Sequence, residues 1–141
     1  MLRSWYVAFF QLPALPEWHF SRNNFRDGVR ALLGSSRPGT FAAEDLDRYR
    51  ESWSHPGTVT AMINWYRAFY RHRPAVRDLQ VHVPVFILWG KRDKFLLPEM
   101  AEASVRCCDS AELRYFHDAS HWLQHEEPEA VNHALIEWFG K

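Results

Sequence analysis

The spacing of apolar residues along the chain changes near residue 80. Before that point, apolar residues recur three and four positions apart, as they do on one face of a helix. This spacing predicts helices over Asn24–Leu33, ending at Gly34, and over Thr58–His72. Beyond residue 80, Val83–Trp89 is a continuous apolar run closed by Gly90. Such a run is typical of a strand that is buried on both faces of a parallel sheet.

The first part of the chain predicts a further helix and a stripe of large side chains. Thr40 precedes the acidic residues Glu44 and Asp45, and it can cap the helix that they begin. The helix predicted from Thr58 has large apolar or aromatic residues at i, i+3, i+4, i+7 and i+8, namely Met62, Trp65, Tyr66, Phe69 and Tyr70. Because stripes of this kind are more often core than binding surface, we expect these side chains to be buried.

The second part predicts the order strand, helix, strand, helix. A helix is expected over Pro98–Arg106, a second strand over Glu112–Phe116 and a final helix from Pro128 onward. This order is the α/β pattern. Two parallel strands leave a sheet edge and apolar sheet faces uncovered. We therefore expect either that the strands pair with another chain or that the sequence is part of a longer protein, and we favour the second interpretation.

The composition is that of a globular protein without a charge bias. Of 141 residues, 47% are hydrophobic, and 17 basic residues balance 17 acidic ones. The absence of a basic stripe argues against nucleic acid as a partner. No run reaches the roughly 18 apolar residues that a membrane-spanning helix needs. Since the adjacent Cys107 and Cys108 are poorly placed for a disulfide, we expect a reducing, cytoplasmic compartment.

An acid and a histidine follow the two predicted strands. Asp93 ends the segment Gly90-Lys91-Arg92-Asp93 after the first strand, and His121 lies in the loop after the second. The carboxyl ends of parallel strands meet at one sheet edge, so the two loops should be neighbours. We expect the Asp93 carboxylate to bind Nδ1 of His121 and to leave Nε2 free to act as a general base. Either residue by itself would indicate only an ordinary loop.

Two tyrosines in the aromatic first part are a second candidate for chemistry. Tyr6 and Tyr66 each carry a phenol proton. If they converge, they can bind an oxygen atom that becomes an alkoxide. The sequence does not establish that they converge, and packing is the more common role of a tyrosine in such a segment.

A row of histidines offers a metal-binding alternative. His117, His121 and His125 recur every four residues, and His133 follows. On one continuous helix the first three would share a face and could bind zinc. Because a loop is predicted between His117 and His121, this remains an alternative only. The chain has no glycine-rich phosphate loop, and no cofactor is expected.

These residues belong to a series of motifs that resembles the epoxide hydrolases of the α/β-hydrolase superfamily. The series covers nearly the whole chain and consists of Ser4–Pro13, Pro56-Gly57, Asn64–Arg67, Leu88–Asp93, Ala119–Glu126 and Pro128–Asn132. The resemblance implies an α/β fold in which a helical cap, residues 1–78, precedes the last two strands and helices of a mostly parallel sheet, residues 79–141. It also implies that the N-terminal half of such an enzyme is missing.

The resemblance implies roles for individual residues. Tyr6 and Tyr66 match the cap tyrosines that bind and protonate the epoxide oxygen. Asp93 matches the catalytic acid, and His121 matches the base that activates water. The family's aspartate nucleophile, which forms an ester with the epoxide, lies upstream of the cap and has no counterpart in this chain. Aromatic residues near the matched positions are candidates for an apolar substrate pocket, and they are Trp5, Phe9, Trp65, Phe95 and Trp122.

The resulting hypothesis is hydrolysis of a small apolar epoxide by water to a vicinal diol. We expect the chain to be inactive without the missing half. A haloalkane or haloacid dehalogenase is the alternative enzyme, and the two phenols, in place of halide-binding donors, argue against it. The alternative outside enzymology is a fragment that binds a partner or a second copy of itself through its open sheet edge.

Overall fold

Seven helices and two strands occur in the residues that the structure, a computed structural model, describes, which are 5–71 and 78–140. The helices are α1 Trp5–Phe9, α2 Leu15–Ser35, α3 Ala43–Ser54, α4 Thr58–Arg71, α5 Pro98–Val105, α6 Leu123–Glu126 and α7 Pro128–Phe139. The strands are β1 Val85–Gly90 and β2 Ala111–Phe116. The chain divides into a first unit, Met1–Gly34 with Phe41–Ala75, and a second unit, Ser35–Thr40 with Val76–Lys141. His72, the last residue of one predicted helix, lies outside the described residues.

A kink divides α2 into two helical segments. Asn23, Asn24 and Phe25 have φ angles of 53°, 52° and 56°, which lie in the left-handed region. Asparagine adopts this region more readily than most residues, so two of the three positions suit the kink, whereas the bulky Phe25 does not. The helix predicted over Asn24–Leu33 therefore starts after the kink, and it ends at Ser35, two residues later than predicted.

Aromatic rings fill the core of the first unit. The ring of Trp53 lies 5.1 Å from that of Phe20, 5.9 Å from that of Phe25 and 5.5 Å from that of Tyr49. Edge-to-face and tilted contacts at these distances add to the stabilisation that burial provides. Trp53 projects from α3 and is buried in this cluster.

The prediction that Thr40 caps α3 is wrong. The Thr40 hydroxyl donates to the Arg37 carbonyl at 2.7 Å and does not reach α3. The helix begins after Ala42, whose N–H donates to Oδ2 of Asp45 at 3.0 Å. An acid in the first turn therefore satisfies one free N–H group where the sequence favoured the hydroxyl.

The expected burial of the aromatic stripe on α4 is wrong for four of its five members. The exposed members are Met62, Trp65, Phe69 and Tyr70. The buried residues of the helix lie four positions apart and are Val59, Ile63 and Arg67. Helical spacing shows which residues share a face but not which face is covered. Here the covered face includes an arginine, and the most apolar face stays open.

In the second unit, β1 and β2 form a two-stranded parallel sheet. Val85 pairs with Ala111 at one end, and Gly90 pairs with Phe116 at the other. The residues of β1 before Gly90 are half-buried, so the expected burial on both faces is not met. Two strands are too few to cover each other's faces. Because the register is parallel, both strands end at the same edge, where the two candidate loops begin. In the ranges described, no helix has the length and apolarity needed to cross a bilayer.

Candidate active site

A close backbone approach joins the loops that follow β1 and β2. A Cβ atom on Gly90 would lie 2.1 Å from the carbonyl oxygen of Ser120 and 2.6 Å from that of Ala119. No side chain can occupy that space, so only glycine permits the approach. The N–H of Arg92 donates to the same Ala119 carbonyl at 2.9 Å. The end of β1 thus fixes the position of the loop that carries the candidate histidine.

The structure brings Asp93 and His121 together. Nδ1 of His121 lies 2.8 Å from Oδ2 of Asp93. The other carboxylate oxygen accepts the N–H groups of Phe95 at 2.7 Å and Leu96 at 2.9 Å, which fixes its orientation. The Asp93 side chain is 6% exposed, whereas that of His121 is 38% exposed. A buried acceptor therefore holds an accessible imidazole ring.

This arrangement can perform base catalysis. A carboxylate that accepts a hydrogen bond from Nδ1–H leaves the lone pair of the neutral ring on Nε2. An accessible Nε2 can take a proton from water, and the carboxylate can then stabilise the imidazolium ion that forms. The contact between Asp93 and His121 arises because the loops after β1 and β2 lie at the same edge of the sheet.

Two of the candidate pocket residues lie against this imidazole. The Phe95 ring is 5.1 Å from that of His121, and the Trp122 ring is 5.4 Å away at an interplanar angle of 89°. The indole N–H of Trp122 donates to the hydroxyl of Ser35 at 2.9 Å, which fixes the indole in turn. The imidazole therefore has aromatic neighbours on two sides.

A buried carboxylate that the sequence did not single out lies beside the histidine loop. Glu126 is 7% exposed, and its Oε2 accepts the Ser120 N–H at 2.6 Å. Its Oε1 accepts the Ser120 hydroxyl at 2.6 Å and the Arg37 N–H at 2.7 Å. Burial raises the pKa of Glu126, but the hydrogen bonds from Ser120 and Arg37 outweigh burial, and the pKa is lowered. Glu126, Glu127 and Glu129 lie close together in the sequence, and no local pattern predicts which of them is buried.

In the first unit, the rings of Tyr6 and Tyr66 are in contact. Their centroids are 5.8 Å apart at an interplanar angle of 84°. Phe10 touches both, at 5.6 Å from Tyr6 and 5.0 Å from Tyr66. The contact joins α1 to α4, and both tyrosines are half-buried. The two aromatic rings that the sequence singled out are therefore in contact.

A buried arginine links α4 to the segment that follows α1 and to α2. Arg67 donates from Nε to the Phe10 carbonyl at 2.9 Å and from Nη2 to the Leu12 carbonyl at 2.7 Å. It also forms a two-point ion pair with Glu17, at 2.5 Å and 3.1 Å. Hydrogen bonding to Arg67 lowers the pKa of Glu17. Because Arg67 directly follows Tyr66, this pair holds the chain near both phenols. The motif contained Arg67, but no role was predicted for it.

A pocket of about 320 Å³ opens beside Tyr66. It is lined by Val7, Trp65, Tyr66, Phe69 and Tyr70. Trp65, a predicted pocket residue, is among them. Trp5 and Phe9 are not lining residues, and Phe9 instead packs on His19 with ring centroids 5.7 Å apart. The exposed aromatic face of α4 thus forms a small apolar pocket.

The histidine row does not form a metal site in the part of the chain that is described. Across residues 5–71 and 78–140, no three His, Cys, Asp or Glu side chains are grouped so that they could hold a metal ion. His117 follows β2, His121 lies in the loop and His125 lies on α6. The four-residue spacing therefore does not put them on one helix face.

The sequence is similar to proteins about twice as long, or longer. It is 39% identical over 137 residues to the AB hydrolase superfamily protein YfhM of Bacillus subtilis, and the match covers 97% of this chain and 48% of that protein. It is 35% identical over 136 residues to epoxide hydrolase 2 of Caenorhabditis elegans, with 92% and 38% covered. The chain thus spans about half the length of the first relative and less of the second. No family model matches the chain.

The fold is also similar to that of epoxide hydrolases of known structure. The Bacillus megaterium epoxide hydrolase in complex with an inhibitor superposes with a TM-score of 0.81 at 27% identity, over 99% of this chain and 52% of that one. The epoxide hydrolase CorEH superposes with a TM-score of 0.84 at 20% identity, over 99% and 50%, which is a likeness of fold alone. The likeness extends over nearly the whole chain.

Proposed function

Because the chain belongs to the epoxide hydrolase-like part of the α/β-hydrolase superfamily, we propose that it supplies the cap and the acid–base residues of an enzyme that hydrolyses apolar epoxides to vicinal diols. The observation that carries the proposal is the contact between Tyr6 and Tyr66, at 5.8 Å between ring centroids. Two adjacent phenols can donate to one oxygen atom, which suits an epoxide oxygen as its bond to carbon breaks.

The first chemical step needs a carboxylate nucleophile, which we assign to a segment outside these 141 residues. Attack by this carboxylate on an epoxide carbon breaks one C–O bond and forms an ester. A phenol of Tyr6 or Tyr66 donates its proton to the departing oxygen, which becomes the first hydroxyl group of the product.

The second step uses the pair of Asp93 and His121. Nε2 of His121 takes a proton from water, and the hydroxide adds to the ester carbonyl. Collapse of this intermediate releases the diol and regenerates the carboxylate, and the proton held by His121 returns through water to the tyrosinate that the first step left. Asp93 keeps the ring in the required tautomer and stabilises its cationic form. The exposure of the His121 side chain, 38%, supports access of water to the ring. Epoxide and water balance the reaction, and no cofactor takes part.

The pocket beside Tyr66 supports an apolar substrate of modest size. Its volume of about 320 Å³ and its aromatic lining suit an aryl or alkyl group attached to the epoxide. Residues 1–78 would act as the cap and residues 79–141 as part of the hydrolase core. A cytoplasmic location also belongs to the proposal, and the unpaired thiols of Cys107 and Cys108 support it.

An assay of the 141-residue chain tests the assignment of the nucleophile. The chain is incubated with styrene oxide, and diol is measured against a His121→Ala control. We expect no diol above the control, because the ester cannot form. Diol that depends on His121 would show that a nucleophile lies within the chain. Halide release from a haloalkane by a longer protein that includes the nucleophile would instead favour a dehalogenase.

The tyrosine assignment is tested in a longer protein that joins this chain to a nucleophile-bearing segment encoded upstream. Loss of one donor to a developing oxyanion typically costs about 10²-fold or more in rate, and Tyr66→Phe should slow ester formation to that order. Tyr70→Phe is the matched control, since Tyr70 lies on the same helix and lines the same pocket. Equal rates for the two variants would remove the assignment.

A further inference from the structure

We propose that Glu126 is a positioning residue for His121, because it holds the preceding segment, Ala119–Ser120, against the end of β1 and so keeps the imidazole on Asp93. The inference rests on the proposed role of His121 as the base. It adds a residue that does not touch the reacting atoms and acts only through the histidine.

The segment Ala119–Ser120 is fixed from two sides. Ala119 is 0% exposed and Ser120 is 5% exposed. On one side, both carbonyl oxygens lie within 2.6 Å of the position that a Cβ on Gly90 would occupy, and the N–H of Arg92 donates to the Ala119 carbonyl. On the other side lies the Glu126 carboxylate. Without that carboxylate, the segment would be held from the strand side only.

Ser120 transmits the effect of Glu126 to the histidine. Its N–H and its hydroxyl both donate to Glu126, at 2.6 Å each, so its backbone and its side chain are fixed together. Its hydroxyl oxygen also accepts the N–H of Trp122 at 3.2 Å. The residues on either side of His121 are therefore linked to one carboxylate, directly or through the serine hydroxyl.

Glu126 is itself held in one orientation. The N–H of Arg37 donates to Oε1, and the guanidinium of Arg37 donates to the Glu126 carbonyl and to Oε1 of Glu127. The N–H and the hydroxyl of Ser120 and the N–H of Arg37 are thus three donors to the two oxygens of the Glu126 side chain. Such convergence requires a group with acceptors on both atoms, which glutamine lacks. In a Glu126→Gln variant, the amide NH₂ would face at least one N–H or O–H donor.

The experiment reads the tautomer of His121 in the 141-residue chain. Nitrogen-15 chemical shifts of the imidazole are recorded at a pH where the ring is neutral, for the wild type and for Glu126→Gln. The wild type should show the Nδ1–H tautomer alone, and Glu126→Gln should show a mixture of both tautomers. Glu127→Gln is the matched control, since Glu127 is the adjacent glutamate and binds Arg37, whereas both donors of Ser120 bind Glu126. Its His121 signals should equal those of the wild type.

Two outcomes would overturn the proposal. One is a folded Glu126→Gln variant whose His121 signals match the wild type, and the other is an equal change in Glu127→Gln. If Glu126→Gln does not fold, Ser120→Ala takes its place, because it removes one donor and leaves the backbone N–H. It should cause a smaller change in the same direction, and unchanged signals would overturn the proposal. No epoxide is used, so failure here is distinct from failure of the diol assay.

A second readout separates positioning from a general loss of structure. In the longer protein, Glu126→Gln should slow hydrolysis of the ester more than its formation, because His121 serves only the second step. The ester should then accumulate and be visible by mass spectrometry of the protein. Equal slowing of both steps would overturn the positioning role.

Discussion

Replacement of Gly90 by alanine tests the backbone contact on which the site depends. The new Cβ would lie 2.1 Å from the Ser120 carbonyl oxygen, and an ordinary contact needs 3.4 Å, so β1 and the loop must separate by about 1.3 Å. Backbone atoms cannot rotate out of the way as a side chain can. Overpacking typically costs about 1–3 kcal/mol, and a weakened hydrogen bond between Arg92 and Ala119 adds about 1 kcal/mol. We therefore expect Gly90→Ala to lower the free energy of unfolding by about 3 kcal/mol.

Urea unfolding followed by circular dichroism measures this loss. With a slope of about 1–3 kcal/mol per molar, the midpoint should fall by about 1–3 M. Gly34→Ala is the matched control, since no atom lies within 4 Å of its added Cβ and the residue lies in α2. Alanine there should raise stability by about 0.5–1 kcal/mol. A Gly90→Ala midpoint equal to that of the wild type would refute the reasoning.

The remaining predictions concern buried polar contacts. Arg67→Met should lower the free energy of unfolding by about 3–5 kcal/mol, because Glu17 loses its partner inside the unit. A change below about 1 kcal/mol in urea unfolding would contradict this. Since Arg67 lowers the pKa of Glu17 from 4.5, the pair's stabilisation is full above that value and is lost as pH falls through the folded pKa. Glu17→Gln should therefore flatten the acid side of a curve of stability against pH, and an unchanged acid side would disprove the linkage. Trp122→Phe should cost about 1 kcal/mol through the lost bond to Ser35, whereas Trp65→Phe, at a residue 79% exposed, should cost nothing measurable in the same unfolding assay.

In the second unit, both strands and the helices α5 and α7 were predictable, whereas the short helix α6 was not predicted. Pro98 begins α5 and Pro128 begins α7, since proline suits the first turn of a helix. Gly90 ends β1, and the predicted start of that strand differs by two residues from the observed one. The comparisons confirm the α/β-hydrolase fold class and the resemblance to epoxide hydrolases.

The candidate site was predictable only in part. The contact between Asp93 and His121 follows from a rule of topology, since parallel strands end at one edge. The burial of Glu126 depends on Arg37, which is 89 positions away, and no local pattern records such a contact. Similarly, Arg67 on the covered face of α4 pairs with a residue 50 positions away, and no local pattern predicts that pair. The catalytic roles of these residues stay predictions.

The contact between Arg37 and Glu126 also has a consequence for the time course of folding. Closing a loop of 89 residues costs about 4 kcal/mol of chain entropy, which a late contact must offset. At roughly 5–20 residues per second, the ribosome needs about 5–20 seconds to make the chain between the two residues. The segment Ser35–Thr40 therefore waits without its partners while the helices of the first unit can already form. This contact can form only after Glu126 has been synthesised.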